Sequence, residues 1–189
     1  MRVYRMENVI KSDFIERMTD DGVGMLFVKE RYKLDEMAME LLSRVKNKGY
    51  KLIYVTSSLP AKNIEEKIQK ANLTDYFIID SVTANVIDDY QENSKNLFIK
   101  SPGDLTEVSI NLESMLKKNA ETLFVVIDSI TSFLIYNSEN EILRFIHFTS
   151  SIARSKKSKL VFIVIQNDGL SKSFLDKVRS FIDEEAIIE

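Results

Sequence analysis

Apolar and polar positions follow two different periods along this chain. Short continuous apolar runs, such as MLFV at 25–28, are typical of buried strands. The segments between them repeat apolar residues every three or four positions, which is typical of amphipathic helices. The pattern predicts strands at 25–28, 51–58, 76–82, 96–101, 124–128, 159–168 and 183–189, and helices at 34–46, 61–73, 105–119, 141–155 and 171–181. The polar segment 83–96 is predicted to be a surface excursion.

Strands that alternate with helices need crossover connections, and crossovers produce a mainly parallel sheet covered on both faces. We therefore predict an α/β three-layer sandwich. Ligands of such sheets bind beyond the carboxyl ends of the strands, which would place Lys29, Ser57, Asp128 and Gln166 along one rim. A length of 189 residues predicts one domain, in which residues 1–24 form a possible amino-terminal extension packed on the core.

Composition excludes several classes of protein. The formal net charge is −3, so no global positive field attracts nucleic acid or an anionic membrane. The chain has no cysteine and one histidine, which argues against disulfides and against metal sites built from thiolate or imidazole. No apolar run approaches the roughly 20 residues that span a bilayer, and the amino end lacks the apolar block of a signal peptide. We expect a cytoplasmic protein that makes no membrane contact.

Two stretches carry a resemblance to a known superfamily. The run FVVIDSITSF at 124–133, with the helix that follows it, and the strand KLVFIVIQND at 159–168 resemble the carboxyl-terminal half of the RecA/KaiC-like ATPases, especially their small archaeal members. The resemblance covers about residues 24–189. It implies a RecA-like fold of the phosphate-loop NTPase type, whose members bind ATP between subunits and often form rings or filaments.

The resemblance also assigns residues to a nucleotide site. Asp128 would match the Walker B aspartate, which orients Mg²⁺ and its waters, and Gln166 would match a polar residue that can sense the γ-phosphate. A site of this kind would include Ser129 beside Asp128. Lys29 or Lys33 would have to reach the phosphates, with Mg-ATP as the ligand.

Two departures oppose ordinary ATP hydrolysis. A phosphate loop of the form GxxxxGK[ST] should follow the first strand, because glycines let backbone N–H groups close around the phosphates. The chain instead has VKERYKLDEM at 28–37, with no glycine and with Leu34 after Lys33. In addition, Ser57 and Ser58 stand where relatives commonly carry a pair of glutamates, one of which acts as general base.

These departures favour a catalytically degenerate domain that has no cofactor and acts as a scaffold or regulatory protein, through a protein partner or as a homo-oligomer. Two questions stay open. Asp128 either marks an unorthodox Mg-ATP site or belongs to a helix or turn cap. The basic residues Arg154, Lys156, Lys157 and Lys159 form either a solvated loop or an anion-binding patch, and such a patch would suit a recombination accessory protein that contacts DNA.

Overall fold

The computed structural model describes residues 3–6, 14–87, 90, 93–119, 121–166 and 170–188. Its strands are β1 (Val3–Met6), β2 (Val23–Val28), β3 (Lys51–Thr56), β4 (Tyr76–Asp80), β5 (Asn96–Phe98), β6 (Leu123–Asp128), β7 (Lys159–Ile165) and β8 (Glu184–Ile188). Its helices are α1 (Phe14–Arg17), α2 (Leu34–Asn47), α3 (Ala61–Lys70), α4 (Thr83–Val86), α5 (Leu105–Lys118), α6 (Ile130–Phe133), α7 (Glu139–Ser155) and α8 (Lys172–Arg179), and a 3₁₀ turn covers Arg31–Lys33.

The eight strands form one sheet in the order β1-β8-β2-β7-β6-β3-β4-β5, and every pair of neighbours is parallel. Strand β6, which carries the FVVID run, lies between β7 and β3. The carboxyl ends of all the strands therefore meet at one edge of the sheet, as the alternation of strands and helices predicted.

Each face of the sheet is covered by a helical layer, which confirms the predicted three-layer sandwich. Val23, Met25 and Phe27 of β2 point into a core closed by α5, α7 and α8. Leu26 and Val28 point to the opposite face, into a second core closed by α1, α2 and α3. Because both faces of the central strands are buried, these strands are apolar along their whole length instead of alternating.

The boundaries follow the predicted pattern to within a few residues, and the exceptions have local causes. Asp104 caps α5, since its Oδ1 accepts the Glu107 N–H at 2.8 Å. The segment 83–96 was predicted to be a surface excursion, and its first residues form the short helix α4. Residues 88, 89, 91 and 92 of that segment, and residues 167–169 of the predicted 159–168 strand, lie outside the described residues.

Residues before the first predicted strand contribute to the sheet and its cover. Strand β1 pairs with β8 at one edge, and α1 buries Phe14 and Ile15 in the second core. Gly24 was predicted to precede the first strand, but it lies within β2. A Cβ added to Gly24 would overlap the Phe14 ring and lie 3.1 Å from the sulfur of Met18. The glycine is thus a site of close packing beneath α1.

We expect Gly24→Ala to destabilise the protein by about 1–3 kcal/mol, because the new methyl group would displace the Phe14 ring from a close-packed core. Gly103→Ala is the matched control, because its Cβ would lie 3.3 Å from Ser101 Oγ and 3.8 Å from Tyr136 Cβ, in an exposed turn. Urea unfolding of both variants measures the difference. Equal stability of the two variants would contradict the packing role of Gly24.

Candidate functional site

The structure brings four of the predicted site residues to the carboxyl edge of the sheet. Lys29, Ser57 and Gln166 directly follow β2, β3 and β7, and Asp128 is the last residue of β6. Backbone hydrogen bonds hold this rim together, since the Gln166 N–H donates to the Val28 carbonyl at 2.8 Å and the Ser57 N–H donates to the Asp128 carbonyl at 2.8 Å.

The carboxylate of Asp128 is bound by a tyrosine of the neighbouring strand. Tyr54 of β3 pairs in register with Val126, so its ring lies on the same face as Asp128 and two residues before it. The Tyr54 hydroxyl donates to Asp128 Oδ2 at 2.7 Å. Tyr54 is 1% exposed and Asp128 8% exposed. One oxygen of the carboxylate is therefore occupied by a buried phenol.

Charges on the covering helices lie close to this pair. Lys67 of α3 forms an ion pair with Asp35 of α2, with Nζ and Oδ1 2.6 Å apart. Burial raises the pKa of Asp128 above its ordinary value, and nearby Asp35 acts in the same direction. The Tyr54 hydrogen bond and the charge of Lys67 oppose this shift. We call Tyr54, Asp128, Lys67 and Asp35 the Asp128 cluster.

The polar residues that follow Asp128 are also bound within the fold. Ser129 is the N-cap of α6, where its side chain accepts the Ser132 N–H at 3.2 Å. The Thr131 hydroxyl donates to the Ile165 carbonyl and accepts the Ile165 N–H, both at 3.0 Å, which ties α6 to the end of β7. The cap predicted for the Asp-Ser pair thus belongs to Ser129, whereas Asp128 binds Tyr54.

Ser57 is buried between the ends of β3 and β6. Its Oγ accepts the Ser129 N–H at 3.1 Å and lies 3.0 Å from the Ser129 carbonyl oxygen. The neighbouring Ser58 is half-buried. The two positions predicted to correspond to the glutamates of relatives therefore differ, since Ser57 joins two strand ends and Ser58 has partial access to solvent.

The connection between β2 and α2 is short. Five residues join them, and the last three, Arg31–Lys33, form the 3₁₀ turn. The Lys33 N–H donates to the Glu30 carbonyl at 2.9 Å, so this amide is used within the turn. Lys29 is exposed and Lys33 is half-buried. Both lysines lie on the carboxyl side of β2, as the sequence predicted.

Sequence reasoning missed Asp80, a second carboxylate at the same rim. Asp80 ends β4 and is fully buried. It accepts the N–H groups of Ala61 and Val82 at 2.6 Å, and it also accepts the backbone N–H and the hydroxyl of Thr83. The signal was present, because YFIID at 76–80 has the same form as FVVID, an apolar run that ends in aspartate. Asp80 orders the starts of α3 and α4.

The four residues of the predicted anion patch do not share a surface role. Arg154 Nη2 binds Asp183 Oδ2 at 2.9 Å and the Phe181 carbonyl at 3.0 Å. Lys159 is 3% exposed, and its ammonium donates to the Met18 and Thr19 carbonyls. Burial lowers the pKa of Lys159. Only Lys156 and Lys157 are exposed in the turn between α7 and β7.

Two kinds of feature are absent from the described ranges. No group of three or more His, Cys, Asp or Glu residues in them is arranged to hold a metal ion. None of the helices in them has the length and apolar character that crossing a bilayer requires.

Solved structures share this fold, and one of them is a KaiC-like protein. The chain superposes on the KaiC-like protein PH0186 of the hyperthermophilic archaeon Pyrococcus horikoshii OT3 with a TM-score of 0.64 and 13% identity, over 98% of this chain and 81% of that one. The chain has a RecA-like fold. A second similar structure is the uncharacterized protein PH0321 of Pyrococcus horikoshii in complex with an unknown peptide, with a TM-score of 0.63 and 12% identity, over 87% of this chain and 76% of that one. No protein-family model and no curated protein matches the sequence.

We expect Tyr54→Phe to destabilise this RecA-like domain by about 1–3 kcal/mol, because it leaves a buried carboxylate without its hydroxyl donor. Tyr50→Phe is the matched control, since Tyr50 is half-buried and its hydroxyl has no hydrogen bond within the residues that the structure describes. Chemical denaturation of both variants near neutral pH measures the effect. Similar losses in the two variants would show that the Asp128 contact contributes nothing specific.

Proposed function

We propose that this chain is a RecA/KaiC-like domain with a degenerate phosphate loop, and that it acts as a scaffold or regulatory protein without hydrolysing nucleotide. The Tyr54–Asp128 hydrogen bond carries the proposal. A Walker B aspartate must face Mg²⁺ and its waters, and Mg²⁺ demands near-octahedral oxygen ligands. In this chain the corresponding carboxylate faces a phenol in a nearly closed site.

The segment after β2 supports the same proposal. A phosphate cradle needs several consecutive N–H groups that point at one anion, which glycines allow. Five residues without glycine, three of them in a 3₁₀ turn, offer less backbone for such a cradle. Glu30, Asp35 and Glu36 add negative charge near this point, and like charges oppose the binding of phosphate.

The residue at the position expected for a general base also supports the proposal. Ser57 is bound to the backbone of Ser129 within a buried contact. A serine hydroxyl is too weakly basic to take a proton from water near neutral pH, and it needs a neighbouring base to lose its own proton. Ser57 therefore fixes the end of β3 against the start of α6, and it does not polarise water.

Thermal unfolding with millimolar Mg-ATP, Mg-ADP or Mg-GTP tests the proposal, and we expect no shift of the midpoint. A ligand that binds the native state at about 100 times its Kd would add roughly 2.7 kcal/mol and shift the midpoint by several degrees. EDTA provides the metal-free control. A saturable shift that requires magnesium and is lost in Asp128→Asn would instead establish the alternative, an unorthodox nucleotide site.

Asp128→Asn also has a pH signature of its own. The pKa of Asp128 is raised in the folded state, so the contribution of the carboxyl group to stability is complete below its unfolded pKa of about 4 and is lost as pH rises through the folded pKa. Asparagine keeps an acceptor for Tyr54 without the charge. The variant should therefore gain stability over the wild type between acidic and neutral pH, with no gain at acidic pH. Measurement of both proteins by urea unfolding across this pH range checks the difference.

An apolar surface on the opposite helical layer supports action through protein contacts. A groove of about 470 Å³ lies between α5 and α7, and Ile110 and Phe148, 58% and 42% exposed, line it. Exposed apolar side chains that line a groove with a polar rim are a common feature of interaction sites. Glu141 and Arg144 lie in the same groove, and Glu141 Oε2 accepts the Ser138 N–H and hydroxyl within its own chain. A twofold axis through the groove would bring Arg144 of one copy toward the Glu141 carboxylate of the other.

We therefore expect a homodimer through this groove, and Phe148→Asp should make the protein monomeric because it places a carboxylate in the apolar contact. Val86→Asp is the matched control, since Val86 is 66% exposed on α4, away from the groove. Sedimentation equilibrium measures the mass of each variant. A monomeric wild type, or the same change in both variants, would contradict this arrangement.

A further inference from the structure

Strand β5 is the edge of the sheet beyond β4 in the described structure. The Ile78 N–H donates to the Lys95 carbonyl and the Ile99 N–H donates to the Asp80 carbonyl, so Lys95, Leu97 and Ile99 turn their backbone groups toward β4. The backbone groups of Asn96 and Phe98 consequently point away from the sheet.

Part of this outer edge has no hydrogen-bond partner. The Asn96 N–H is satisfied by Asn93 Oδ1 at 2.9 Å. The Asn96 carbonyl and both backbone groups of Phe98 bind no atom of the described residues. An edge with free donors and acceptors in this order matches the backbone of another extended chain.

A groove lies along the same edge, on the α5 side of the sheet. Its volume is about 620 Å³, and the half-buried side chains of Phe77, Leu97 and Met115 give it an apolar lining. A strand added beside β5 would direct every second side chain toward this groove. Backbone pairing and side-chain contacts are thus available to one and the same ligand.

The charges of the groove differ at its two ends. Glu107, in the first turn of α5, lies at one end, and Lys118, the last residue of α5, lies at the other. Lys118 is exposed and has no ion pair in the part of the chain that the structure describes. Because α5 runs opposite to the parallel strands that flank it, Lys118 lies beside the amino end of β5.

We propose that β5 and α5 bind an extended segment of a partner protein as an added antiparallel strand, with apolar residues in the groove, a basic residue near Glu107 and an acidic residue near Lys118. Glu107 and Lys118 are eleven positions apart on the helix, which corresponds to about 16 Å, or about five positions along a strand. A strand antiparallel to β5 runs from the Glu107 end of the groove to the Lys118 end. Its basic residue therefore precedes its acidic residue in the sequence of the partner.

This inference rests on the proposed function, because it names the kind of partner through which a non-hydrolysing domain would act. The surface is separate from the Asp128 cluster, and it also differs from the groove between α5 and α7 proposed for the homodimer. It can therefore be tested without reference to either.

The probe is a fluorescein-labelled synthetic peptide with lysine first, glutamate last, and about five alternating valine and threonine residues between them. Fluorescence anisotropy with the full chain should give saturable binding. Lys118→Glu should weaken it roughly tenfold, because it replaces an attraction with a repulsion. Replacing the terminal glutamate of the peptide with lysine should restore binding to that variant, because both ends of the groove are then acidic.

Two controls distinguish strand addition from nonspecific binding of the peptide. Lys62→Glu changes the charge of an exposed lysine on α3, in the other helical layer, and should leave binding unchanged. Methylation of the peptide amides that face β5 should abolish binding, whereas methylation of the intervening amides should not.

Absence of binding at millimolar peptide would overturn the proposal, as would binding that is insensitive to Lys118→Glu and to the position of methylation. Binding that weakens as protein concentration rises would show that a second copy fills the groove, which would also overturn the assignment to a partner protein. Each of these results leaves the nucleotide experiment unaffected. ATP hydrolysis would overturn the proposed function whatever the peptide does.

Discussion

A carboxylate buried at the carboxyl end of a central strand needs a hydrogen-bond donor, and this requirement governs the rim of the sheet. Asp128 obtains its donor from Tyr54 on the adjacent strand. An unpaired buried carboxylate would cost more than a neutral polar group, so the two strand ends must stay in register. With β3 and β6 fixed in this way, Ser57 reaches the backbone of Ser129, and Thr131 reaches the end of β7.

This arrangement shows how one architecture can serve different chemistry. The strand order gathers polar side chains at one edge of the sheet, whatever those side chains do there. In this chain, polar groups at the strand ends are bound by a phenol, by hydroxyls and by backbone amides. Asp80, a buried carboxylate at the end of β4, likewise binds donors within the fold, which come from the starts of two helices. The fold therefore constrains where polar groups stand, whereas their partners decide whether a ligand is needed.

Most of the architecture could be predicted from the sequence because the central strands are buried on both faces. Continuous apolar runs such as 124–127 and 160–165 are typical of strands in a covered parallel sheet when amphipathic helices lie between them. The segment before residue 24 was harder, because β1 and α1 have four residues each and show no period. Gly24 was predicted to lie outside β2 because the continuous apolar run begins at Met25, whereas the close approach of Phe14 and Met18 accounts for a glycine within the strand.

The site was less predictable than the fold because partners, and not residue types, determine what a polar group does. The sequence predicted that one rim holds Asp128, Ser57, Lys29 and Gln166. It gave no sign that Tyr54, inside an apolar run, would supply the donor for Asp128, since tyrosine is common in buried strands. Likewise, Lys159 looked like part of a basic surface beside Lys156 and Lys157. A long side chain at the start of a strand can turn inward when carbonyl groups are available to it.

The inward position of Lys159 also makes its amine a chemical indicator of motion. Acylating reagents attack the unprotonated amine, which burial favours by lowering the pKa of Lys159, yet the Met18 and Thr19 carbonyls enclose the group. Its reactivity is thus limited by how often the turn at residues 18–20 moves away from the sheet. The rate at which Lys159 is labelled, compared with that of exposed lysines, would report the opening of this turn while the rest of the domain remains folded.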